Sequence, residues 1–346
     1  DQDILQRLES EGVVCWTRNG EIRFMHDFFE ELACDSFFDS LYTSEGCTDK
    51  FFQIVRPALG TKKRLCDWLA RKSVADVDVL RRFSMAILTN DCQSSDWSDC
   101  IAQAVLRSCC ASELMNLMER EMLSDDWHLA KLFAKNLKLA CMCIDFETLK
   151  MLAIPEGGCE EFLFQKPCGY GWKPFIEFLY RHKDEIPLDG CEDFVCVLRN
   201  WTNKYHEGEF VRKAGLTALA LSEKIDSHKS ESFAYRDVQE LLAGIVMNAA
   251  KELPKELAGL CLSFADNWNN CDLKFHPLSE LLLGDSGVAF YAAEAIPREY
   301  AAFLYEAWCM GEDEQGYPFC PSLDFEEEFR LRDQGPSYYP PSALQT

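Results

Sequence analysis

No apolar run in this chain approaches the roughly 18 residues that a membrane-spanning helix requires, so nothing in it reads as a transmembrane segment. Positive charge is also scarce: 35 Lys and Arg stand against 58 Asp and Glu, a net charge of -23. That balance opposes general nucleic-acid binding, which relies on Lys and Arg to neutralise phosphates. The densest basic stretch, Lys62-Lys63-Arg64, reads as a solvated helix face. Zinc signatures are missing as well. Despite 18 cysteines there is no Cys-x-x-Cys pair and no His-x-x-x-His partner. Cys66, Cys109, Cys110, Cys141, Cys143, Cys196 and Cys261 fall inside apolar helical patterns, where free cysteine behaves as a small hydrophobe. Cys159 and Cys168 flank a Gly- and Pro-containing loop and are the least helical pair. Reduced thiols and a cytoplasmic location are expected from this usage.

Catalytic signatures are equally sparse. There is no Gly-x-Ser-x-Gly, no His-Glu-x-x-His and no Asp-Phe-Gly. Gly60-Thr61-Lys62-Lys63 lacks the upstream glycine and the preceding strand of a phosphate loop. His128, His182, His206, His228 and His276 are scattered without ligand spacing. Acidic pairs at Asp125-Asp126 and Glu160-Glu161 read as helix-start caps that favour the positive end of the helix dipole.

What the chain does contain is apolar material, 48% of 346 residues, enough for a substantial core. It begins on Asp1 without an initiator Met, and it is expected to be a segment of a longer protein. Ile4, Leu5 and Leu8 have helical spacing, and Gly12 predicts a helix end near residue 10. Val13 to Thr17 and Glu21 to Phe24 are β-prone runs around Asn19-Gly20, a strong hairpin signal. A helix followed by a two-stranded wing is the back half of a winged-helix domain. Asp27 stands just before Phe28, Phe29, Leu32 and Ala33, where it is expected to cap the next helix.

From about residue 50 amphipathic helices follow one another, and strand signals nearly vanish after residue 24. Pro57 is expected to start or kink a helix running through Leu65 and Leu69. Ser94-Ser95-Asp96 is a cap signal for a helix opened by Trp97, and Trp127 and Trp172 head two more. Consecutive helices with short connections predict a mostly α fold: a partial winged helix with a β-hairpin, then an irregular α-helical solenoid. The expected divisions are 1–45 (end of the winged helix), 46–155 (first part of the helical array), 156–171 (loop), 172–311 (second part) and 312–346 (an acidic, then Pro- and Tyr-rich linker).

The stretch from Arg23 to Ala33, with Met25-His26-Asp27 at its centre, resembles the Met-His-Asp motif that closes the winged-helix domain of STAND NTPases. These are signalling ATPases that include plant immune receptors and bacterial antiviral sensors. The resemblance covers little beyond residues 13 to 33. It implies that His26 contacts the nucleotide in the resting ADP state, with Met25 in packing and Asp27 in capping. It implies ATP or ADP in the intact protein, with no cofactor and no hydrolysis expected of this segment, since Walker A and Walker B elements are absent from it. The partners it implies are a protein ligand, phage-derived in the bacterial members, and further copies of the protein once activated.

Two rivals stand beside it. One is a helical-repeat interaction scaffold without nucleotide linkage. The other is a transcriptional regulator placing the wing on DNA, which the acidic charge opposes.

Overall fold

A computed structural model describes residues 2–88, 97–152, 164–227, 235–267, 276–283 and 287–309. The fold is mostly α, with two small antiparallel hairpins. The chain divides into two compact units, one comprising Asp1–Cys141 with Gly169–Gly171 and the other Met142–Cys168 with Trp172–Thr346. Among the described residues no helix is long and apolar enough to cross a membrane.

The first unit opens with α1 (Gln2–Ser10), β1 (Val14–Trp16) and β2 (Ile22–Phe24). The strands pair with Val14 opposite Phe24 and Trp16 opposite Ile22. Their connection is the Asn-Gly turn expected from sequence: Gly20 donates to the Thr17 carbonyl and takes φ of 77°, a region glycine enters without steric cost. α2 (Asp27–Glu45) follows directly. Here the structure corrects one expectation. The capping position is His26, in extended conformation, and Asp27 is the first helical residue and makes no cap bond.

Next come α3 (Asp49–Val55), α4 (Leu59–Ala75), α5 (Val77–Leu88), α6 (Ser98–Arg107), α7 (Ala111–Leu117), α8 (Glu119–Leu123) and α9 (His128–Ala140). Pro57 neither starts nor kinks a helix; it lies in the break between α3 and α4. Preceding it, Arg56 takes φ of 53° and ψ of 135°. α5 carries a side-chain cap, because the Asp76 carboxylate accepts the Asp78 amide at 3.0 Å. Trp97 sits at the cap position of α6 and is not inside it, and Ser94-Ser95-Asp96 lie outside the described residues. Trp127 also precedes its helix. With Asp125 and Asp126 it forms a left-handed turn, all three at positive φ.

The core of this unit is aromatic. Phe83 on α5 meets Phe51 at 5.1 Å, Phe52 at 5.7 Å and Trp68 at 6.1 Å, all three contacts edge-on. Such tilted pairs add to simple area burial. The one polar atom of Trp68 is satisfied, since Nε1 donates to Asp39 at 3.1 Å. Within this unit α4 packs on α5 and α6, and α6 on α9, an irregular stack of helical hairpins.

The second unit begins with a hairpin that the sequence reading missed. β3 (Met142–Ile144) pairs antiparallel with β4 (Gln165–Pro167), and α10 (Phe146–Met151) lies between them in the chain. Then come α11 (Trp172–Arg181), α12 (Glu192–Lys204), α13 (Glu209–Ser227), α14 (Arg236–Ala249), α15 (Pro254–Asn267), α16 (Pro277–Leu283), α17 (Gly287–Ala295) and α18 (Pro297–Cys309). α13 packs against α11 and α14, α12 against α14, and α15 against α18. Trp172, Phe175, Phe178 and Phe194 are fully buried there. Close approach has a specific cause at Gly215, where a Cβ would stand 2.8 Å from that of Ala249. The cysteine reading also needs correcting: Cys143 is on a strand, and Cys109, Cys110 and Cys141 lie in the connections that follow helices.

Candidate functional site

His26 closes the first hairpin and opens α2, so the imidazole is carried by a strand-to-helix junction. Backbone bonds fix that junction. The Met25 amide donates to the Val13 carbonyl at 3.0 Å, and the His26 carbonyl accepts the Phe29 amide at 3.0 Å, the first bond of α2. The side chain is exposed, makes no cap hydrogen bond, and has Phe29 as its ring neighbour at 6.0 Å. A donor left uncommitted at a helix N-terminus is well placed to meet an anion.

The surrounding charge tempers that. Asp27 and Glu30 occupy the first turn of α2 and already complement its positive end. Glu30 and Glu31 are in turn held by Arg64 of α4, at 3.5 and 2.6 Å. His26 with this helix end therefore supplies one donor and no further positive charge. Arg18 and Arg23 line a shallow depression at the hairpin tip, with Thr17, Asn19, Glu21 and Ile22, and His26 is not among its lining residues. An exposed apolar face surrounds the junction: Trp16 is 50% exposed, Met25 51% and Phe28 62%, with Ile22 and Leu32 similar. Met25 packs less than its motif position implies.

The remaining sequence candidates separate. Gly60 to Lys63 form the first turn of α4. Cys168 is half-buried, while Cys159, His228 and Glu160-Glu161 lie outside the described residues. Among the described residues no group of three or more His, Cys, Asp or Glu is placed to hold a metal ion. His276 is buried, accepts the Leu278 amide on Nδ1, and has Nε2 3.1 Å from Asp226 of α13.

The strongest electrostatic cluster was not visible in the sequence. Asp145, 4% exposed between β3 and α10, accepts hydrogen bonds from Thr148 at 2.7 Å and from Lys204 of α12, with Lys166 of β4 at 3.4 Å. Burial opposes its charged form, yet the hydrogen bonds from Lys204 and Thr148 and the Lys204 charge outweigh it and hold the carboxyl well below the usual range. Every group in this cluster is paired within the second unit, which makes it a clamp on the second hairpin. No protein-family model matches this chain, and no curated protein does.

Proposed function

We propose that this chain is the regulatory and ligand-sensing helical module of a STAND-type signalling NTPase, serving in antiviral defence. The carrying observation is His26. It stands exposed and without a cap bond at a hairpin-to-helix junction, within a stretch resembling the motif whose histidine senses the nucleotide. The electrostatics support a half-site, in which His26 contributes one hydrogen bond and the phosphate-neutralising groups come from a nucleotide-binding domain elsewhere in the intact protein. The exposed apolar residues Trp16, Ile22, Met25 and Phe28 support the same reading, because a lone two-stranded hairpin is marginally stable and gains from being covered. The helical arrays would sense a protein ligand, and ligand binding would release the ADP-locked state and drive oligomerisation.

The test is His26→Ala in the full-length protein. Weaker ADP retention and raised ligand-independent signalling are expected; unchanged retention and signalling would overturn the assignment. Asp27 at the helix end favours a second reading, a helical-repeat interaction scaffold without nucleotide linkage. Absence of ADP from the purified full-length protein would select it.

A further inference from the structure

Among the described cysteines Cys109 alone is exposed, and its Sγ lies 3.8 Å from that of its neighbour Cys110. Both stand in the connection between α6 and α7, a turn held by a relay of hydrogen bonds. The Cys110 amide donates to Ser108 Oγ at 3.1 Å, Ser108 Oγ pairs with Ser73 Oγ at 2.7 Å, and Ser73 Oγ donates to the Ala70 carbonyl at 2.8 Å. The relay ties the turn to the last turn of α4, so the two thiols are presented by a fixed backbone. Preorganisation of this kind lowers the cost of binding.

The spacing admits chelation of one small soft centre by both sulfurs. Two sulfurs 3.8 Å apart, bonded to one atom at the roughly 2.3 Å of thiolate–metal bonds, subtend about 110°. A linear two-coordinate ion would need them about 4.6 Å apart with the same bond length. Tetrahedral zinc needs further ligands, and among the described residues none complete such a group. A three-coordinate soft centre that already carries one carbon substituent needs two sulfurs only, and soft thiolates prefer soft partners.

We propose that Cys109 and Cys110 form a bidentate thiol site for soft trivalent thiophiles of the organoarsenical class. Each thiol replaces one hydroxyl on the hydrated arsenic: two As–S bonds form, two As–O bonds break, two waters leave, and no oxidation state changes. Among the described cysteines Cys66, Cys100, Cys141, Cys191 and Cys261 are buried and so are poor rivals for a ligand arriving from solvent.

The test is phenylarsine oxide binding by the whole chain, challenged with excess glutathione and then with a dithiol. Trypsin releases both cysteines in one peptide, Ser108–Arg120, so protection from alkylation in the native protein reports the site directly. Expected is protection of both residues that survives glutathione and is reversed by the dithiol. Cys109→Ser and Cys110→Ser should each weaken retention by about 100-fold or more, the loss of an intramolecular second bond. The Cys109 change is at an exposed position, so an unaltered melting temperature checks that variant's fold. Free alkylation of both cysteines in the arsenical-treated protein, or equal retention by the single variants, would overturn the assignment.

Discussion

Lys204→Met should destabilise the second unit more than Asp145→Asn does, although both remove the same ion pair. The asymmetry follows from exposure. Asp145 is 4% exposed, whereas the Lys204 side chain keeps 26% of its surface and Lys166 27%. Removing Lys204 leaves a buried carboxylate with Thr148 and the more distant Lys166. Breaking a buried pair costs about 3–5 kcal/mol, and the partial exposure of Lys204 puts this case at about 2–3 kcal/mol. Asparagine at 145 still accepts from Thr148, and both amines can turn to water, so about 1 kcal/mol is expected. For a unit of this size the larger loss corresponds to a melting shift of about 5–10 °C.

Scanning calorimetry gives the melting shift, and hydrogen exchange at Met142–Ile144, Gln165 and Lys166 tests whether the loss is local to the hairpin. Lys251→Met is the control, because its partner Glu207 is similarly close but both side chains are more than half exposed; no resolvable change is expected there. The pH dependence has a definite sign. The folded carboxyl titrates below its unfolded value, so its stabilisation is fully present above about pH 4 and is lost as pH falls further through the folded value. The Lys204→Met penalty should therefore be constant from about pH 8 to 5 and shrink below about pH 4. A Lys204→Met loss no larger than the control's, or one smaller than that of Asp145→Asn, would refute the clamp.

Phe83→Ala, which empties the centre of the first unit's aromatic cluster, should cost about 3–5 kcal/mol in urea unfolding. Gly171→Ala would set a Cβ 2.9 Å from the Leu106 carbonyl oxygen; backbone cannot give way cheaply, and a loss of about 1–3 kcal/mol is expected by the same assay. Arg56→Gly should instead stabilise by about 1 kcal/mol, because φ of 53° with ψ of 135° strains any side-chain-bearing residue. A lower melting temperature for that variant would show that the Arg56 side chain contributes more than its backbone costs.

Where the sequence was legible, the determining contacts are local. Asn19-Gly20 fixes the first hairpin because glycine at φ of 77° is needed two residues before β2 begins. The amphipathic spacing of Val79, Leu80, Phe83 and Ile87 likewise shows the buried face of α5 without reference to any other helix.

The illegible features depend on partners far along the chain or on backbone that local rules disfavour. β3 and β4 are three residues each, with a helix between them, and Gln165-Lys166-Pro167 carries no strand pattern. What holds them is a carboxylate whose lysine lies 59 positions away. Asp125 and Asp126 tolerate left-handed backbone, but nothing local announces it for Trp127, whose indole is buried at 6% exposure. The same division applies to the sites. His26 was legible because a junction is a local object, and the structure adds the acidic neighbours that limit what the imidazole does alone. In the sequence Cys109 and Cys110 look like helix-core thiols because their apolar neighbours continue a helical spacing. Only Ser108, tied to Ser73 across 35 positions, shows that the helix stops, leaving Cys109 exposed and the Cys110 sulfur half-buried beside it. A thiol pair and a carboxylate clamp thus become visible only once the helices that hold them are in place.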